Sequence, residues 1–255
     1  MTARLLEIGG ADGTEVAVGA SVAGDERNEL GPEVAAFVED APDRSARDAV
    51  TVLTDVPPGT TIATIGQQSN LAAALVADKS LPTRVDLLAV MGGAFGPIRT
   101  LDGRSFGPER DWNLILDPPG AARSLSAGWR ALYVPIDVSF HAVLRTHQLE
   151  RLRGGDDLCR VVAALVDAWR ARGLEFADAP ELADVAAFLH DPLTIACIVE
   201  RSFVTVERLP VTVALDARGA PRTFVDPLSG HEADVVRSVD APAFADWVVD
   251  TLLDS

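Results

Sequence analysis

Cysteine is scarce in this 255-residue chain, which carries only Cys159 and Cys197. Two thiols cannot build a disulfide framework or a multi-cysteine metal centre. Both lie in apolar runs, DDLCRVVAALV and LTIACIVE, so they read as buried, reduced side chains. Basic residues are also in short supply: 22 Lys and Arg stand against 38 Asp and Glu, a formal charge of −16. That imbalance repels phosphate backbones and anionic lipid, so nucleic-acid polymers are poor partners, while small neutral ligands and metal cations stay open. Long apolar runs are missing as well. The longest uncharged stretch, residues 56–77, is broken by Pro57, Pro58, Gly59, Gln67, Gln68 and Asn70 and cannot serve as a membrane span. The opening MTARLLEIGGADG lacks the sustained apolar core of a secretory signal, so the chain reads as cytoplasmic. Gly-x-Gly-x-x-Gly, Walker-type, His-Glu-x-x-His and Gly-x-Ser-x-Gly signatures are all absent.

What is present is an ordinary globular composition, 48% hydrophobic and 24% charged, with no internal repeat or long linker. Short β-rich runs alternate with helical patterns, the signature of parallel βαβ units. Strands are expected over residues 15–20, 60–66, 85–93 and 131–137. Helices are expected over 45–54, from a Ser69 cap through Ala77, and after Asp117-Pro118, where Asp caps and Pro takes the first helical position. Further helical patterns run to Gly173, over 179–189 and beyond Pro192. Residues 94–110, rich in Gly and Pro, read as an irregular loop. LPVTVALD, ARGAPRTFV and ADVVRSVD look like a short antiparallel meander before a closing helix, Ala241–Leu253. The fold class is therefore α/β: an open, mostly parallel sheet flanked by helices, with a small antiparallel β appendage near the C-terminus, in a single domain over 1–255.

Ligands of such sheets bind beyond the carboxyl ends of the strands. Chemistry is accordingly sought at residues 66–70, 92–113, 137–141 and the His190-Asp191 junction. Each candidate has two local readings. In HDPLTIA, Asp191 either caps a helix while His190 ends the preceding one, or ligates a metal or substrate while His190 serves as an acid or hydrogen-bond donor. RDWN either starts a strand or presents Asp111 and Asn113 on one side of an extended segment, with Trp112 turned to the core. GQQSN is either a helix N-cap around Ser69 or part of a site. His141, near the expected pocket rim, reads as a surface or capping residue.

Together the order and spacing of EVAVGA, ATIGQQSN, LLAVMGGAF, DWN followed by DPPGAA, VPIDVS, LERL and HDPLTIA resemble the inosine/uridine-preferring nucleoside hydrolase family. The resemblance extends over almost the whole chain. It implies hydrolysis of the N-glycosidic bond of ribonucleosides, with a Ca²⁺-held water and an oxocarbenium-like transition state. A hard cation of this kind takes several oxygen ligands, and a cationic sugar favours nearby carboxylates. By the same resemblance, Asp191 and the backbone carbonyl of Ser69 would ligate metal, and His190 would assist departure of the base. Asp111, Asn113, Asp25 and Ser105 would line the substrate. The chain departs from the family in several places. Asp111 stands where the family usually has glutamate, Ser105 where it has an asparagine, and Asp25 where many members have histidine. The family's opening cluster, Asp-x-Asp-x-Gly-x-Asp-Asp, has no counterpart, and with it a central strand is expected to be missing. Two readings follow. One is a hydrolase completed in cis or by a partner, either another copy in a homo-oligomer or a complementing chain. The other is a diverged, metal-free relative acting as a binding or scaffold subunit or with altered chemistry.

Overall fold

A computed structural model of the chain describes residues 2–11, 13–19, 45–108, 111–171 and 180–254. It divides into two compact units: Val50–Ala142 with Phe188–Phe244, and Met1–Ala49 with Val143–Ala187 and Ala245–Ser255.

The Val50–Ala142/Phe188–Phe244 unit is built on a six-stranded sheet. Its elements are β1 Thr60–Thr64, α1 Ser69–Ala77, β2 Val85–Met91, α2 Trp112–Ile115, α3 Pro118–Leu125, β3 Ala131–Val134, α4 Ile136–Ser139, α5 His190–Val199, β4 Val204–Leu215, β5 Pro221–Val225 and β6 His231–Val239. The strand order is β5-β4-β6-β3-β2-β1. β1, β2, β3 and β6 run parallel, with Ala89 opposite Leu132, Val90 opposite Tyr133, and Val235 also opposite Tyr133. β4 is antiparallel to both β5 and β6. The expected meander is thus present, and it extends the main sheet through β6.

Alternation along the strands buries Leu88, Val90, Ala131, Tyr133 and Val235 on one face, against Leu71, Leu75, Ala121 and Leu125 of α1 and α3. Ala89, Leu132 and Val134 are buried as well, and α5 packs on β2 and β3. Strands covered on both faces have no solvated side, which is why they read as continuous apolar runs.

Local departures have local causes. β3 stops at Val134 because Pro135 has no N–H to donate, and a short helix follows at once. Ser69 is the first helical residue of α1; the cap position belongs to Gln68, without a side-chain cap. The Asp117 cap is as expected, its carboxylate accepting from Gly120 N at 3.0 Å. Residues 94–110 include a small antiparallel ladder between Ile98–Arg99 and Ser105–Phe106. The helix expected over 179–189 is replaced by a 3₁₀ turn, Pro180–Leu182, and a strand, Val185–Phe188. Tertiary pairing outweighs weak helical periodicity there.

In the other unit, Val16–Val18 pairs in parallel with Ser45–Asp48. This pairing takes the first half of the helix expected over 45–54 and leaves Ala49–Thr54 helical. Buried Gln148 accepts from Arg145 N at 2.9 Å and donates to Asp246 at 2.8 Å. Both cysteines are free and buried, as expected. Among the described residues no helix is long and apolar enough to cross a membrane.

Leu88 is fully buried in the central strand β2. Leu88→Ala is expected to lower stability by roughly 2–5 kcal/mol through lost transfer energy and a residual cavity. Urea denaturation followed by circular dichroism checks this.

Candidate functional site

The parallel strands β2 and β3 end side by side. Gly92 N donates to Val134 O at 3.1 Å, and Ile136 N donates to Gly93 O at 2.9 Å. Gly93 has φ +86°, and a Cβ there would lie 2.8 Å from Thr223 Cγ2, so both conformation and close approach require glycine. Onto this corner fold two of the sequence candidates. Asp111, immediately before α2, is 2% exposed, and its Oδ2 accepts from Gly93 N at 2.6 Å. It also accepts from the backbone N–H groups of Asn113 and Leu114; burial nevertheless outweighs these bonds and pushes its carboxyl up to about 6. Asn113 Nδ2 donates to Met91 O at 3.1 Å and lies 2.9 Å from Met91 Sδ. The segment is helical from Trp112, so Trp112, read as a core residue when the segment was taken as extended, instead stands 50% exposed.

The second group sits at the start of α5, the helix packed on the same two strands. His190 is its first residue and does not end a preceding helix; the cap position is Leu189, so Asp191 is not the cap either. His190 Nδ1 lies 2.8 Å from Ser139 Oγ on α4. Its ring stacks on Phe188, with centroids 5.6 Å apart, and meets the edge of Phe140 at 5.1 Å. Burial among these rings lowers the imidazole to about 4, so it is neutral at pH 7. When the Ser139 hydroxyl donates to Nδ1, the neutral ring carries its proton on Nε2. Asp191 is half-buried in the first turn of α5, where the helix dipole favours a carboxylate. Burial raises its carboxyl, and among the described residues it has no hydrogen-bonding or ionic partner.

The remaining candidates are placed differently. The hydroxyl of Ser69 donates to Asp117 Oδ2 at 2.6 Å, tying α1 to α3. Ser105 is exposed in the small ladder after β2, opposite Arg99. Asp25 lies outside the described residues. Asp137 lies in the 137–141 stretch but was not singled out from the sequence; its Oδ1 accepts from Phe95 N at 3.1 Å. Its position just past β3 was the available signal. Gln68 was also passed over. It is fully buried beside Ser69, and its Oε1 has no hydrogen-bond partner among the described residues.

A sequence profile of the inosine-uridine preferring nucleoside hydrolases matches residues 1–246. The chain belongs to this family. Among curated relatives, the pyrimidine-specific ribonucleoside hydrolase RihA of Salmonella newport is 30% identical over 210 residues, 79% of this chain and 63% of that protein. The chain thus spans less than two thirds of that relative's length. Of solved structures, the plant nucleoside hydrolase PpNRh1 superposes with a TM-score of 0.74 at 23% identity, covering 100% of this chain and 85% of that one. The purine-preferring ribonucleoside hydrolase of Gardnerella vaginalis gives 0.73 at 20% identity, covering 99% and 84%. These likenesses fix the nucleoside hydrolase fold, with the open sheet and flanking helices expected from the strand pattern.

Calcium, which family resemblance implies, needs about six to eight oxygen ligands. Among the described residues no group of three or more His, Cys, Asp or Glu side chains is arranged to hold a metal. The carboxylates of Asp111 and Asp117 are already acceptors for N–H and O–H groups. The described residues by themselves do not fit calcium.

Between its usual value near 3.8 and about 6, folded Asp111 keeps a proton that the unfolded chain has lost. Its contribution to stability is therefore full below about 4, falls as pH rises through about 6, and is flat above. Asp111→Asn is expected to gain unfolding free energy relative to wild type across that window and hold a constant difference at higher pH. Urea titrations at stepped pH measure the difference, and parallel curves would contradict it.

Proposed function

We propose that this chain hydrolyses the N-glycosidic bond of ribonucleosides, releasing free base and ribose. What supports the proposal is the setting of two polar groups, one at the end of β2 and one beside the short helix that follows β3. Asp111 and Asn113 lie against Met91 and Gly93, and the His190-Asp191 pair opens the helix packed on those strands. In the reaction the bond from the anomeric carbon to the base nitrogen breaks, water supplies hydroxide to that carbon, and a proton goes to the departing base. Asp191 accepts from ribose hydroxyls and offers negative charge beside a sugar that turns cationic in the transition state. His190, neutral and oriented by Ser139, donates a hydrogen bond from Nε2–H to the leaving base, and the proton the base takes up is the one released by the attacking water. The Asn113 segment, with Asp111, forms the ribose side; Asp25, Ser105 and the Ser69 carbonyl belong to the same reading by motif position alone. A cytoplasmic enzyme with reduced cysteines, working on a small nucleoside and assembling with further copies or a complementing chain, completes the proposal.

The short supply of metal donors among the described residues favours a second reading, a metal-free relative that binds a ribose-type ligand without cleaving it. Inosine and uridine, incubated with the purified chain with and without Ca²⁺, separate the two by the reducing sugar released. Ribose release in which Asp191→Asn lowers kcat/KM by about 100-fold or more, and Ser139→Ala by a smaller factor, supports hydrolysis. Calorimetric binding of either nucleoside with no ribose released under any condition overturns it in favour of the second reading.

A further inference from the structure

The loop leaving β2 has no regular structure of its own from Gly92 to Gly96, yet its path is tied down residue by residue. Gly93 N donates to Asp111 Oδ2 at 2.6 Å, and Phe95 N donates to Asp137 Oδ1 at 3.1 Å. The N–H of Gly96 also bonds to the Asp137 carboxylate. Between them, Ala94 N donates to Thr223 Oγ1 at 2.9 Å, and the same hydroxyl donates to Ala94 O at 2.8 Å. One side-chain oxygen thus serves both backbone groups of Ala94, as a neighbouring strand would. Thr223 lies on β5, the outermost strand, opposite Val213. Its methyl group fills the space where a Gly93 side chain would begin.

We propose that Thr223 is a positioning residue for the candidate site: it fixes the β2 exit loop, and through Gly93 and Met91 the loop fixes Asp111 and Asn113. Asp137 performs the same service one residue further along. The antiparallel extension of the sheet thereby gains a role at the site, since its edge strand sets the height of the loop on which the ribose side is built. The proposal deepens the hydrolase reading and rests on it for its effect on turnover, whereas the fixing of the loop stands on geometry alone.

Two variants divide the threonine's functions. Thr223→Val keeps the shape and removes the hydroxyl; Thr223→Ser keeps the hydroxyl. Hydrogen exchange across residues 92–97 reads the loop, and kcat and KM for inosine and uridine read the site. In wild type, the Ala94 and Phe95 amides are expected to be protected although they belong to no helix or strand. In Thr223→Val the Ala94 amide should exchange about tenfold faster or more, with β2 and β3 amides unchanged. In the same variant kcat/KM should fall by about tenfold, mainly through KM, while Thr223→Ser stays within about threefold of wild type on both counts. Fast exchange of Ala94 in wild type overturns the proposal without any variant, and so covers the case in which Thr223→Val does not fold. Unchanged exchange in Thr223→Val also overturns it, as does a serine variant that behaves like valine or wild-type kinetics in a variant with a loosened loop. Absence of ribose release by wild type sinks the hydrolase reading alone, and the exchange pattern still decides whether Thr223 holds the loop.

Discussion

Backbone groups that leave the carboxyl end of a buried strand must find acceptors and donors, and at the end of β2 side chains supply them. Gly92 and Gly93 are buried, so their own backbone groups need partners from the protein. Asp111, Thr223 and Asp137, from three separate parts of the unit, provide the partners. This requirement dictates the sequence on both sides. Glycine is needed where φ is positive and where Thr223 approaches, and short oxygen-bearing side chains are needed at the positions that reach the loop. Asp111 is kept at 2% exposure by this arrangement, and an acid so placed is held by its N–H donors while burial disfavours its charge.

Burial moves the groups around the strand exits in opposite directions on the pH scale. It raises the carboxyls of Asp111, Asp137 and Asp191 and lowers the imidazole of His190. In each case the charged form is the one penalised. The consequence near pH 7 is a neutral histidine, together with an Asp111 carboxylate that is mostly charged. A neutral ring cannot repel a sugar that becomes cationic, and a carboxylate stabilises it, so the electrostatics suit the proposed chemistry. They suit equally the binding of an uncharged polyol, which is why the release of ribose, and not affinity, separates the two readings.

Much of the sheet was legible in the sequence because parallel strands covered on both faces are largely apolar, as β3 is throughout and β2 is but for exposed Asp86. The meander and the closing helix Ala241–Leu253 were legible for a related reason, strong local pattern bounded by turn residues. Where the reading failed, partners distant in sequence had decided the outcome. Ser45–Asp48 is a strand because Val16–Val18 lies beside it. Val185–Phe188 is a strand although its surroundings carry a helical spacing. At the site, motif positions singled out Asp111, Asn113, His190 and Asp191; Asp111 and Asn113 lie against the end of β2, and His190 lies beside Ser139 of α4. Thr223 left no local trace, because a threonine in a β-rich segment is ordinary and its partner, Ala94, is 129 positions away.

Occupying a motif position does not fix what a carboxylate does. Asp111, Asp117 and Asp137 stand at or beside stretches that resemble the family, and each accepts hydrogen bonds that hold the chain in place. A carboxylate engaged by two or three N–H groups is a poor ligand for anything else, since releasing it would strand those donors in a buried setting. Counting acceptors in this way leaves Asp191 as the uncommitted acid among the described residues at the strand exits. The proposed chemistry is therefore concentrated at the first turn of α5, where a free carboxylate, a neutral imidazole and a helix N-terminus coincide, and the Asp111–Asn113 segment supplies shape more than reactivity.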